Sequence, residues 1–427
     1  MLTAQENDLL TNVASGTPMG DLLRQYWIPA VRTDEIPLPD SAPLRIRLLC
    51  ENLIAFRVTS GRVGVIQSIC AHRGVSLFFA RNEQEGLRCV YHGWKYDVDG
   101  NCVDMPAERP ENAGYKDKVK ALTYPTAERG GIVWVYMGPR ETPPPLPDIE
   151  PNIVGGSILT QMLCCNWVQA IENNMDTTHI GFMHFGSVDP DANADWVDRR
   201  PGFRYLLEDR APKFLVKDSP TGAMYAAYRD AEDDSYYYRI MNYHLPFFTQ
   251  SPAANLQKAC LFVFSVPIDN THTMQWWLSN DPERIGRPEN EMAVLPNTTD
   301  WLGRFRPAVL MENDMNIDRE AQKYDTTWKG YTGIATIPDQ DRGIAESQGS
   351  VQDRALEHLA GSDAMIIQVR GLLMRAALAH REDGSVPPGV DEPALYRRRS
   401  GSITLPRDVD VWEATRALRE AFIPAEP

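Results

Sequence analysis

Between residues 43 and 140, apolar and polar positions alternate in short runs at 44–49, 53–58, 63–66 and 131–137, bounded by Gly, Asn and Asp. Period-two runs of this length predict half-buried antiparallel strands, so this stretch reads as a small β domain. Ahead of it the apolar spacing is helical over 6–13 and 19–26, with Pro29 expected to end the helix. Residues 141–147, Glu-Thr-Pro-Pro-Pro-Leu-Pro, favour an extended polyproline conformation and predict a stiff linker. Beyond the linker the periods mix: 224–228, 236–242, 258–266 and 273–278 are strand-like, while 167–179, 351–360 and 363–380 are helix-like. Strands that curl around helices can enclose a pocket. After Arg381 the tail is Pro-rich and charged, with one short helix expected at 411–422. The pattern predicts an α+β protein in four parts. These are an N-terminal helical segment (1–40), an antiparallel β domain (41–145), a larger domain with a curved antiparallel sheet around helices (146–385), and a C-terminal extension (386–427). There is no internal repeat.

At 427 residues the chain can fill two or three cores. Its net charge of −15 argues against a nucleic-acid partner. There is no apolar run of membrane length and no secretory leader pattern. The seven cysteines show no disulfide framework spacing, and the adjacent pair Cys164 and Cys165 reads as strand residues. A reduced, cytoplasmic protein is expected.

Four ligand-type residues arrive as two short pairs, Cys70-x-His72 and Cys89-x-x-His92, each followed by a turn signal at Gly74 or Gly93. Two thiolates on one iron and two imidazoles on the other make a Rieske [2Fe–2S] cluster. A Cys2His2 zinc site is the alternative, although zinc sites usually pair Cys with Cys and His with His. Further on, Asp176, His179 and His184 place two imidazoles and a carboxylate close together. Two His plus one carboxylate with open positions is the ligand set of non-haem Fe(II) oxygenases. On a regular helix His179 and His184 would point about 140° apart. The helix carrying Asp176 and His179 is therefore expected to end near Gly181, letting His184 turn back. The alternative is a helix with two packed histidines and a solvated Asp.

The two motifs together resemble the oxygenase (alpha) component of Rieske non-haem iron aromatic ring-hydroxylating oxygenases. The opening 16–29, the run 86–103 and 245–249 are similar to the phthalate dioxygenase branch. Two departures stand out: Ala71 replaces a usual Pro, and Glu172-Asn173-Asn174 replaces smaller residues. Respiratory Rieske proteins carry a cysteine pair where Val75 and Tyr91 stand, so the resemblance is to the lower-potential type.

The resemblance implies a β Rieske domain followed by a helix-grip (START-like) catalytic domain. It implies Cys70, His72, Cys89 and His92 as cluster ligands, and His179 and His184 as mononuclear Fe(II) ligands. The third iron ligand would be an Asp at the start of a late helix. That points to Asp341, with Asp339, Glu346 and Asp353 as alternatives. Asp176 would not ligate iron but bridge His179 to His92 of a neighbouring subunit, which makes a homotrimer, or a dimer of trimers, part of the mechanism. Electrons would come from a separate NAD(P)H-dependent reductase of flavin/ferredoxin type, since the chain has no nicotinamide or plant-type ferredoxin motif. The expected reaction is O2-dependent hydroxylation of an aromatic carboxylate. O-demethylation of a methoxy-aromatic or diaryl-ether acid is the alternative. Arg204, Arg229 and Arg239 are candidate carboxylate partners, and Asn173 a candidate substrate contact. Two readings from other classes remain at this point, a pure Rieske electron-transfer protein and a zinc-stabilised binding module.

Overall fold

The alternating runs of the first third fold as antiparallel strands in the computed structural model, which describes residues 1–199, 202–252, 255–281 and 287–422. They are β1 (Trp27–Arg32), β2 (Leu44–Leu48), β3 (Glu51–Arg57) and β4 (Val63–Gln67), then the short β5 (Arg81–Glu83), β6 (Gly86–Arg88), β7 (Lys95–Tyr96) and β8 (Cys102–Asp104). β9 (Thr123–Tyr124), β10 (Thr126–Arg129) and β11 (Ile132–Tyr136) complete the set. Among the described residues they form three sheets, ordered β2-β3-β4-β9, β5-β6-β7-β8 and β1-β11-β10. Ile54, Phe56, Ile66, Leu77, Leu87, Trp94 and Tyr96 fill one core beneath the two metal-ligand pairs.

The N-terminal region departs from expectation. Its helices are Ala4–Thr11 and Pro18–Leu23, and the chain is already extended at Trp27. Pro29 lies inside β1, where the register shifts. β1 is an edge strand, so the missing proline N–H breaks no essential ladder bond.

The second half contains β12 (Ser157–Leu163), β13 (Lys213–Ser219), β14 (Gly222–Ala231), β15 (Ser235–His244), β16 (Phe248–Ser251), β17 (Leu261–Pro267), β18 (Thr273–Ser279) and β19 (Gly401–Pro406). Among the described residues they make one antiparallel sheet, β12-β18-β17-β16-β15-β14-β13, with β19 joined to β15. The helix Trp167–Met175 packs on β16 and β17, and the helix Ala364–Asp383 on β13 and β14. Trp167, Ile171, Val369 and Leu373 share a core with Tyr225, Phe248, Phe264 and Trp276. That core continues through Trp134 of β11, so the two halves are packed on one another.

Two other expectations fail, and one strand was not foreseen. Residues 351–360 are not helical: the Asp353 carboxylate accepts from the Ala355 N–H, and Arg354 turns inward to a buried Glu172 at 3.0 Å. The expected 411–422 helix is a single turn, Val411–Ala414, followed by a second short turn, Ala417–Arg419. β19 was not visible in the tail's composition. It forms because β16 covers only Asn242–His244 of β15, and Ser235–Ile240 would otherwise present an open edge. Residues 423–427 of the C-terminal extension lie outside the described residues. No helix among the described residues is long and apolar enough to cross a membrane.

Candidate active site

The first ligand group sits on two matching loops. Cys70 N–H donates to the Val75 carbonyl and Gly74 N–H to the Cys70 carbonyl, at 2.8 and 2.9 Å. Cys89 N–H donates to the Trp94 carbonyl and Gly93 N–H to the Cys89 carbonyl, at 2.8 and 3.0 Å. Gly74 and Gly93 take left-handed φ angles of +71° and +73°, and a Cβ at Gly93 would lie 2.6 Å from Pro106 Cγ. Both turns therefore require glycine. Cys70 and Cys89 are buried, whereas His72 and His92 are half-buried with rings 4.6 Å apart. His72 stacks on Trp94, 4.3 Å away at 10°. The buried Nδ1 of His92 has no hydrogen-bond partner among the described residues. Sulfurs inside and imidazoles outside form two separate pairs. The four residues contribute no three ligand atoms within single-ion range of one another among the described residues. This arrangement fits a two-iron cluster better than a Cys2His2 zinc site.

The second group is built where the helix Trp167–Met175 stops. The expected continuation to Gly181 does not form, because the Asp176 side chain captures the amides that a helix would use. Its carboxylate accepts from Thr178 N at 2.6 Å and His179 N at 3.2 Å, and opens the 3-10 turn His179–Gly181. The tightened chain brings the His179 and His184 rings 4.9 Å apart. The helix Ile337–Ser347 supplies Asp341. Asp341 Oδ1 lies 3.5 Å from His179 Nε2 and 3.2 Å from His184 Nε2, and the two nitrogens are 3.2 Å apart. Ligand atoms about 2.0–2.2 Å from one ion stand roughly 3.0–3.5 Å from each other. The buried Asp341 Oδ1 has no hydrogen-bond donor among the described residues. The donor set therefore fits one divalent cation with open positions.

The other carboxylates are committed elsewhere. Asp339 pairs with buried Arg342 at 2.6 Å and accepts from Thr336 Oγ1. Glu346 accepts from Cys164 N, and Asp353 is exposed in its turn. Asp176 Oδ2 lies 3.4 Å from His179 Nδ1. Burial alone would raise the Asp176 carboxyl, but its bonds to His179 and to the Thr178 amide hold it below the usual range. Burial likewise works against His179, yet Asp176 and Asp341 raise it.

A cavity of about 570 Å³ opens over the His179, His184 and Asp341 donors. Asn173 and Asn174 line it, while Glu172 turns away into its pairs with Arg354 and Arg370. Phe185, Trp196, Phe203 and Trp277 form apolar walls. Arg239 is buried in the wall, and its Nε donates to Thr177 Oγ1 at 3.2 Å. No carboxylate pairs with Arg239 among the described residues. Arg229 lies behind the wall, fully buried. Its Nε donates to the Asp209 carbonyl, and neither Nη atom has a hydrogen-bond partner among the described residues. Burial, reinforced by the charge of Arg239, pulls its guanidinium down to about 10. Arg204 leaves the candidate set, because it is an exposed residue paired with Asp198 and Asp191.

Sequence reasoning missed Tyr225, Tyr237 and Gln340. Period-two reading of β15 could have found Tyr237, which shares the inner face with Arg239 while Tyr236 and Tyr238 pack outward. Gln340 is fully buried: its Oε1 is 2.8 Å from His184 Nδ1, and its Nε2 donates to the Trp328 and Ile334 carbonyls.

Residues 26–125 match the Rieske [2Fe-2S] domain, and residues 135–416 match the family described as LigXa C-terminal domain like. The chain is 40% identical to the 3-chlorobenzoate-3,4-dioxygenase oxygenase subunit of Comamonas testosteroni, over 97% of each chain. It is 36% identical to the phthalate 4,5-dioxygenase oxygenase subunit of Pseudomonas putida, over 100% of this chain and 99% of that one. It is 30% identical to the 5,5'-dehydrodivanillate O-demethylase oxygenase subunit of Sphingobium sp. (strain NBRC 103272 / SYK-6), over 93% and 84%. In fold it is similar to the terminal oxygenase of carbazole 1,9a-dioxygenase from Nocardioides aromaticivorans IC177. That match has a TM-score of 0.54 at 20% identity, covering 84% of this chain and 97% of that one.

Proposed function

Given that the chain belongs to the Rieske non-haem iron oxygenases, as the oxygenase subunit of a multicomponent system with a [2Fe–2S] cluster and a mononuclear iron, we propose that it hydroxylates an aromatic carboxylate. Arg239 carries this reading. It is a buried guanidinium that pairs with no carboxylate among the described residues, in the wall of the cavity that opens on His179, His184 and Asp341. An aromatic acid would offer the missing anion to Arg239 and its ring to Phe185, Trp196, Phe203 and Trp277. The two similar dioxygenase subunits, for 3-chlorobenzoate and phthalate, are named for aromatic acids as well.

Cys70, His72, Cys89 and His92 would hold the cluster, and His179, His184 and Asp341 the iron. Bound there, the iron supplies O2 activation, fed with electrons from the cluster. The chain's own residues then hold the acid, turn one ring edge toward the triad, and shield it from water with an apolar wall. The electron donor in this reading is an NAD(P)H-dependent reductase of flavin/ferredoxin type. Asp176, beside His179, is the contact to His92 of a neighbouring copy. The exposed apolar residues Ile69, Phe79, Val90 and Tyr91 around the cluster loops support such a packing in a homotrimer.

A panel of aromatic acids and their neutral amides, assayed with a surrogate reductase for coupled O2 uptake and product, tests the substrate class. Acids should turn over and amides should not. Arg239→Gln should leave a buried anion unpaired and weaken acid binding by about 2–5 kcal/mol. Equal turnover of neutral arenes would remove the carboxylate from the reading, and formaldehyde release from methoxy acids alone would make the protein a demethylase.

A further inference from the structure

We propose that Gln340 is the positioning residue that fixes the tautomer and ring orientation of His184. This rests on the reading of His179, His184 and Asp341 as metal ligands. A glutamine amide has two N–H donors on nitrogen and only acceptor capacity on oxygen. Here both donors are committed, to the carbonyls of Trp328 and Ile334 at 2.9 Å each. A flip of the amide would set its oxygen against two carbonyl oxygens, so the surroundings decide the orientation. The atom left facing His184 Nδ1, at 2.8 Å, is therefore an acceptor. Nδ1 must carry the hydrogen, and the neutral ring then has its lone pair on Nε2. Nε2 is the atom that stands 3.2 Å from both His179 Nε2 and Asp341 Oδ1.

The two histidines are held differently. The partner of His179 Nδ1 is a carboxylate at 3.4 Å, the outer edge of hydrogen bonding. The partner of His184 is a short, neutral contact from a side chain with no exposed surface. Gln340 also neighbours Asp341 in sequence. One turn of the helix Ile337–Ser347 thus delivers one ligand and orients another. Its anchors belong to the segment 328–334, and Trp328 stacks on the cavity residue Trp196 at 5.6 Å. A partner on the far nitrogen of a ligating imidazole typically sets metal affinity by about 10–100-fold.

The test uses the purified oxygenase with its cluster intact, stripped of mononuclear metal and titrated with Co(II). Gln340→Leu removes the acceptor and should lower Co(II) affinity about 10–100-fold. Gln340→Glu keeps an acceptor toward Nδ1 but loses both donors, so it should retain most of the affinity while melting at a lower temperature. The Co(II)-loaded wild type should show a metal-shifted, slowly exchanging imidazole N–H proton that Gln340→Leu loses. Affinities that fall in step with melting temperature in both variants would make Gln340 merely structural. A Gln340→Leu protein with wild-type affinity and an unchanged N–H signal would overturn the proposal outright. Unchanged Co(II) binding by His184→Ala would instead overturn the ligand assignment on which it rests.

Discussion

At the scale of single residues, two aspartates on one helix have opposite fates. Asp341 faces two imidazole nitrogens with an unsatisfied oxygen, while Asp339, two positions earlier, is locked to the fully buried Arg342. Asp341→Ala should lower the iron content from about three to about two per chain, leaving the visible bands of the [2Fe–2S] cluster. Asp339→Ala takes the nearer of two carboxylates from a buried guanidinium, leaving Glu346 at 3.7 Å, and should destabilise the fold by about 3 kcal/mol. Its folded fraction should still retain the third iron. Metal analysis with thermal melts separates the two, and the reverse pattern would move the ligand two residues upstream. His184→Ala should likewise keep the cluster chromophore and lose turnover. Residue types and spacing marked both histidines as ligand candidates, because such a pair is written locally. The choice between Asp339 and Asp341 needed the helix's rotation, which places one side chain over the cavity and the other beneath it.

At the scale of elements, legibility followed locality. β2, β3, β4 and β11 match their alternating runs within a residue or two, since each pattern reports its own strand. The break at Met175 was set locally, by the hold of the Asp176 carboxylate on the Thr178 and His179 amides, whereas the inward turn of Arg354 in 351–360 and the strand Gly401–Pro406 were set by distant partners that their own composition does not show. The hairpin between β17 and β18 gives a further element-scale consequence. Its Asp269 sits 3.1 Å from Arg47 Nε of β2 and 3.0 Å from His272 Nδ1, tying the catalytic sheet to the β domain. Burial opposes the Asp269 charge, but the bonds to His272 and Thr271 prevail and bring its carboxyl down to about 2. A folded value below the unfolded one of about 3.9 stabilises the fold fully above that pH, and the contribution fades as pH falls toward 2. Asp269→Asn should therefore remove about 2 kcal/mol at neutral pH and flatten the decline of stability between about pH 4 and pH 2, as read by urea unfolding at a series of pH values.

At the scale of the whole molecule, the cluster loops rise from the sheets of the β domain, whereas the iron-type triad stands on a turn and a helix of the second half, where Asp176 lies beside His179. Asp176→Asn removes no proposed ligand. It should leave metal content and oligomer mass unchanged while single-turnover transfer from reduced cluster to product slows by orders of magnitude. Loss of metal without a transfer defect would make Asp176 a ligand support instead. The tail also acts on the whole. Gly401–Pro406 pairs with Ser235–Ile240, setting Ser402 opposite Arg239, and both residues line the cavity. A late stretch of sequence, far from either metal motif, thus sets one residue, Ser402, into the wall that carries Arg239. Recombination between relatives that exchanged only this strand would change the surroundings of that guanidinium and leave both histidines and Asp341 as they are.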